Sequence, residues 1–390
     1  MKPRILFTDQ AGVLGGGELS LLDIASHFAD TSRVVLFADG LFRERLEQRG
    51  VPVSICAAPA EVSGVSRAGG LTKDIKAAVG VIGLAREVAR AARDYDVIYA
   101  NSQKAFIVSA VAGKFACKPV IWHLRDLLDQ QGEFSRLHRL VAIRLANHLC
   151  ARVIANSRAT ADAFVACGGR PDRVRVVHNG IDPAPFQRLT AEEIGALRQQ
   201  LGVAGVPTVG VFSRLAPWKG QHVLLEALSQ LSGVHALLVG DALFGEQGYA
   251  EGLRELAAQL GITERVHFLG FRQDIPQLMS VVDVVAHTSV TPEPFGRVLV
   301  EGMLARRPVV AARAGGVLEI VEDGVTGVLV APGDARALAA VLRDLIANPD
   351  KARALAEAGY AAAIRQFSIE ALLRGVTEQV SEVVVRTQRG

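Results

Sequence analysis

Two kinds of hydrophobic run alternate along this chain. Short blocks rich in Val, Ile and Leu, most of them closed by Gly, Asp or Asn, occur at RILFT (residues 4–8), VVLFADG, VPVSI, DVIYANS (96–102), PVIWHLRD, RVIANS and RVRVVHNGID. Between them, apolar residues spaced three and four apart predict helices, including ones starting near Glu18 and covering residues 73–92, 105–115 and 135–150. Continuous apolar strands alternating with helices indicate an α/β protein whose parallel sheet is covered on both faces. The pattern then restarts with TVGVFSRL (208–215), HALLVGD (235–241), RVHFLG (265–270), VVDVVAH, PVVAA and TGVLV, again with helices between. Pro183, Pro185 and a polar stretch through Gln200 separate the two series. The sequence therefore predicts one domain over residues 1–187 and a second over 188–367. The apolar positions of residues 369–387 have helical spacing, so segment 368–390 is expected to pack back on the first domain.

Composition narrows the function classes. Half the residues are apolar and 21% are charged, with a net charge of +3, too small to argue for nucleic acid. The charge is uneven: residues 1–187 hold 24 Lys+Arg against 18 Asp+Glu, and the rest 19 against 22. A basic first half suits an anionic membrane surface or acidic acceptor, and equally an ordinary solvated surface. The helix at 135–150 carries Arg136, Arg139, Arg144 and His148 on one face, which keeps peripheral membrane contact open beside a plain surface role. Cys56, Cys117, Cys150 and Cys167 lack disulfide or metal spacing, which fits reduced thiols in the cytoplasm. MKPRILFTDQ runs straight into a strand without a signal-peptide pattern, and no apolar run is long enough to span a membrane.

Candidate chemistry centres on residues 290–312, VTPEPFGRVLVEGMLARRPVVAA, read as loop, helix, strand. Glu293 lies in the loop and Glu301 eight positions later, about two turns into the expected helix. The backbone N–H groups of Phe295, Gly296, Arg297 and Val298 open that helix and suit an anion. Arg214 follows a strand and Lys219 stands five residues on at an expected helix start, a fork and a point charge for a diphosphate. Ionised carboxylates accept from vicinal hydroxyls, so Glu301 fits a ribose and Glu293 a sugar. In the first half, the glycine turn at 12–17 precedes a helix, as a phosphate or sugar site would need, though it departs from G-x-G-x-x-G. His123 ends a strand, with Arg125 and Asp126 behind it. Asp94-Tyr95-Asp96 resembles a metal-binding D-x-D, but its second Asp enters a buried strand, so no metal is expected.

RLAPWKG, EPFGRVLVEGML with its two glutamates, the GGGE turn, His123 in WHLRD, and HNGID together resemble the retaining glycosyltransferases of family four, with the GT-B fold. The resemblance spans nearly the whole chain. It implies two Rossmann-like domains with parallel sheets facing a cleft, and a nucleoside-diphosphate sugar, UDP favoured, held mainly by the second. It further implies that Arg214 and Lys219 bind the diphosphate, Glu301 the ribose and Glu293 the sugar. Gly16 and Gly17 would approach the donor, and His123 would lie beside the transferred sugar. The implied reaction is metal-independent transfer with retention to a hydroxyl of a glycan, lipid-linked or polysaccharide-precursor acceptor. A GT-B-like sugar-nucleotide epimerase and a non-catalytic nucleotide- or sugar-binding protein are the alternatives. The chain departs from the family pattern at Arg306, where Gly is common, at Gly302, where Ala is common, and at Pro294, where Gly is common.

Overall fold

The computed structural model describes residues 2–10, 12–58, 71–128, 136–186, 189–243 and 245–389. Residue 135 of the basic helix and the expected boundary at 187/188 lie outside them. The chain forms two compact units, one of residues 1–180 with 369–390, the other of residues 181–368. The boundary thus falls seven residues earlier than the proline-rich stretch predicts. Ile181 explains this, since it is buried in the second unit's core, bridges Ser368 and donates its N–H to the Phe367 carbonyl at 3.0 Å.

The first unit has seven strands: β1 (Ile5–Asp9), β2 (Ser32–Leu36), β3 (Val53–Ile55), β4 (Val97–Ala100), β5 (Val120–Leu124), β6 (Arg152–Ala155) and β7 (Val174–Val176). They pair in the order 3-2-1-4-5-6-7, all parallel. Alternation at period two sends Ile5 and Phe7 into one core and Leu6 into the other, so helices cover both faces. The helix Ile369–Arg389 completes one face with Leu372, Val376, Val380 and Val383. It also supplies Glu382, whose carboxylate accepts from the buried Arg152 at 2.8 Å.

The second unit repeats the scheme with β8 (Thr208–Phe212), β9 (His235–Val239), β10 (Val266–Gly270), β11 (Val284–His287), β12 (Val309–Ala312) and β13 (Val328–Val330). Their order is 10-9-8-11-12-13, again parallel, with a core on each face. In each unit the order reverses once, between β1 and β4 and between β8 and β11. A ligand crevice opens at the carboxyl ends of strands where such a reversal falls. No described helix is long and apolar enough to cross a membrane.

Candidate functional site

In the second unit the loops leaving β8 and β11 carry most of the expected residues. Lys219 Nζ donates to Glu293 Oε1 at 2.6 Å, the Ser289 hydroxyl donates to the same oxygen, and His287 Nε2 stands 2.9 Å from it. Glu293 is only 6% exposed. Burial alone would raise its pKa, but Lys219 and His287 outweigh it and hold the carboxyl well below the usual range. Lys219 is therefore an ion-pair partner, not an isolated point charge. Nor does it open a helix: it ends the single turn Pro217–Lys219, and the helix begins at Gln221. His287 and Ser289 were missed in the sequence because VVAHTS reads as an apolar strand. A His followed by two hydroxyls at a strand's carboxyl end was the available signal.

Backbone contacts hold these two loops together. Thr288 Oγ1 donates to the Lys219 carbonyl at 2.8 Å, and Val290 N–H to the Trp218 carbonyl at 2.9 Å. Gly220 has φ +67°, and a Cβ there would lie 2.1 Å from the Thr288 oxygen, so no other residue fits. Both cations lie over the Trp218 ring, Lys219 Nζ at 4.2 Å and Arg214 Cζ at 5.2 Å from its centre.

The helix that follows the Glu293 loop is Arg297–Leu304, with Gly296 in the left-handed region before it. Phe295 precedes the helix with its ring in the core, edge-on to Phe367. Glu301 lies one turn into the helix rather than two, with Arg297 Nε 3.5 Å from its Oε1. Burial raises the Glu301 pKa, and Arg297 offsets only part of that. Val298 belongs to the same first turn.

In the first unit Gly16 and Gly17 begin the helix Gly16–His27. Behind them Glu18 accepts from the Gly15 N–H at 2.9 Å, and burial, with the charge of Asp9, pushes its pKa up to about 7. Asp9 closes β1 and accepts from Asn101 Nδ2 at 2.6 Å; the same nitrogen lies 3.3 Å from the Gly17 carbonyl. His123 is fully buried in β5, with its Nδ1 2.5 Å from the Tyr99 hydroxyl and 3.1 Å from Arg125 Nη2. Burial and the Arg125 charge push its pKa well down. Tyr99 and Asn101 at the end of β4, and Asn179 in the loop after β7, were not singled out as site residues in the sequence; only folding brings them beside His123. Asp96 accepts from the Arg4 backbone N–H at 2.8 Å and so belongs to a strand start. Among the described residues no three His, Cys, Asp or Glu side chains gather as a metal site would require.

Two parallel units, each with polar side chains gathered at its strand reversal, define a GT-B protein. The family model for glycosyl transferases group 1 matches residues 194–362, and that for glycosyltransferase family 4 matches residues 14–185. Anabaena HepE, solved in complex with UDP, is 44% identical with a TM-score of 0.87, covering 97% of this chain and 100% of that one. Its complex with UDP-glucose gives a TM-score of 0.89 over 97% and 99%. The lipopolysaccharide core biosynthesis glycosyltransferase LpsE of Rhizobium meliloti is 36% identical over 43% of this chain and 48% of its own. The D-inositol 3-phosphate glycosyltransferase of Mycolicibacterium vanbaalenii is 34% identical over 61% and 55%. The matched stretch thus spans about half the length of these curated relatives. The chain belongs to the glycosyltransferase family 4 group of GT-B glycosyltransferases.

Proposed function

We propose that this chain is a retaining glycosyltransferase that moves a hexosyl group, glucose first among candidates, from its UDP derivative to an acceptor hydroxyl. The 44% identity to HepE, solved with UDP and with UDP-glucose, supports the donor class. The observation that carries the reading is the convergence of Lys219, Ser289 and His287 on the ionised Glu293 at the strand reversal. A carboxylate with one oxygen so engaged is a fixed acceptor for sugar hydroxyls and a poor nucleophile, which favours transfer without a glycosyl-enzyme intermediate. In this proposal Arg214, Lys219 and the N–H groups at residues 295–298 take up the charge growing on the departing diphosphate. Glu301 accepts from the ribose, and Gly16, Gly17 and His123 serve the transferred sugar. The acceptor attacks on the face the diphosphate leaves, and a departing phosphate oxygen takes its proton. No metal is needed for these steps, so a chelator should leave the rate unchanged.

We further assign a glycan or lipid-linked acceptor and action at the cytoplasmic face of a membrane. The helix Arg136–Leu149 supports this, for Leu137, Leu140 and Val141 are exposed on it beside Arg144 and His148. UDP should raise the melting temperature, as any ligand of the native state does. Without acceptor, UDP-glucose should release glucose, first as the α-anomer by proton NMR, and Glu293→Gln should abolish this release while UDP still binds. If neither uridine, guanosine nor adenosine diphosphate shifts the melt, the donor reading fails.

A further inference from the structure

Arg125 reaches several strand ends of the first unit at once. Its Nε donates to Asn101 Oδ1 at 2.7 Å, its Nη1 to Asn179 Oδ1 at 2.9 Å, and its Nη2 lies 3.1 Å from His123 Nδ1. Its Cδ stands 3.1 Å from where a Cβ on Gly17 would lie. Asn101 cannot turn over, because its Nδ2 donates to Asp9, leaving Oδ1 for the guanidinium. The fork is thereby fixed against β4, β5 and the loop after β7.

That placement decides where His123 keeps its proton. A guanidinium has no lone pair and can only donate. The buried Tyr99 hydroxyl is a second donor, its pKa raised by burial so that it stays protonated. Two donors aimed at Nδ1 make that nitrogen the acceptor, and a neutral imidazole then carries its hydrogen on Nε2. His123 is neutral, since burial and the Arg125 charge both oppose its protonation. Its Nε2 is buried and has no hydrogen-bond partner among the described residues. Such a donor is awaiting an oxygen from outside the protein.

We propose that Arg125, with Tyr99, is a positioning residue that locks His123 in the Nε2–H tautomer, so that it offers a hydrogen bond to an oxygen of the transferred sugar and does not act as a base. This rests on the proposed placing of His123 beside that sugar. The reverse tautomer would present a lone pair there, able only to accept from a sugar hydroxyl and unable to donate to a sugar oxygen. Arg125 thus acts through its neighbour and touches no reacting atom.

The test is two-bond proton–nitrogen NMR on the full chain with nitrogen-15-labelled histidine. The wild type should show a pyrrole-type Nε2 and a pyridine-type Nδ1 at His123. Arg125→Ala should populate the other tautomer and lower kcat for UDP-glucose roughly tenfold to a hundredfold, while the UDP-induced rise in melting temperature persists. Added guanidinium ion should restore tautomer and rate together. Should Arg125→Ala not fold, Arg125→Lys, which keeps the charge without the fork, and Tyr99→Phe, which removes the second donor, carry the same readouts. An Nδ1–H signal in the wild type, or an unchanged His123 spectrum in the Arg125 variants, overturns the proposal. Full activity of His123→Ala overturns the donor role, whereas failure of the wild type to bind UDP would instead sink the transferase reading.

Discussion

At Glu293 a single carboxylate oxygen meets an ammonium, a hydroxyl and an imidazole inside the protein. Taking one partner from a buried pair strands the other charge, so Lys219→Ala should cost about 3 kcal/mol in denaturant unfolding. Because the folded-state pKa of Glu293 lies below its unfolded value, its contribution is present above the unfolded pKa and lost as pH falls through the folded one. The gap between wild type and Lys219→Ala should therefore narrow in acid; a constant gap would contradict the ion pair. Glu18 has the opposite sign. Its pKa rises from 4.5 to about 7, so its stabilising effect is complete below 4.5 and is lost as pH climbs through about 7. Glu18→Gln should flatten that slope and gain on the order of 2 kcal/mol at neutral to alkaline pH, allowing for partial solvent access. Arg306 occupies a left-handed backbone position, φ +54°, a conformation that suits Gly better than Arg. Its guanidinium compensates by lying 3.6 Å from the centre of the Tyr360 ring and pairing with Glu357. Glu293 was legible by its setting in a loop after a strand, and Lys219 as a cation on the loop after another strand, though not at the helix start expected for it. Their pairing was not, because 74 residues separate them and the sheet order brings them together.

At the scale of elements, the loops that carry Lys219 and Glu293 are each held by a neighbour that leaves no room. Gly315, with φ +62°, bridges Glu293, and a Cβ on it would fall 2.4 Å from the Glu293 carbonyl oxygen. Gly316 packs as closely on Pro294 and donates to the Glu293 carbonyl at 2.9 Å. Gly315→Ala should therefore weaken UDP binding and cost more than the roughly 1–2 kcal/mol of a left-handed alanine. Gly324→Ala, with φ +74° and nothing within 4 Å, is the control and should show the backbone cost alone. Equal melting temperatures for the two would remove the role given to the Gly315 contact. Periodicity made the strands and helices readable, while the register of one loop on another leaves no periodic trace. Glu301 shows the same limit: its spacing from Glu293 was plain, but the turn count was wrong, since Phe295 and Gly296 belong to the loop.

At the scale of the molecule, the first unit needs both ends of the chain. Leu372, Val376, Val380 and Val383 fill one face of its core, and Glu382 answers the buried charge of Arg152. A chain ending at Ser368 should lose the first unit's melting transition, or shift it down by at least ~10 °C, and keep the UDP-stabilised transition of the second. A single unchanged melt would contradict this division of the core. The restart of the strand pattern made two α/β halves legible in the sequence, and the spacing of residues 369–387 exposed the final helix. The position of the crossing was obscured because prolines mark a break in pattern, whereas the unit begins where Ile181 enters a core.

The bridge between Ile181 and Ser368 closes the second unit at its own two ends. Residues 181–368 are thus an insertion whose entry and exit lie side by side, so the segment can be cut out, or exchanged for that of another family member, without stretching its host. Under the donor site proposed above, such a graft should carry nucleotide preference with it, seen as a change in which nucleoside diphosphate raises the melting temperature.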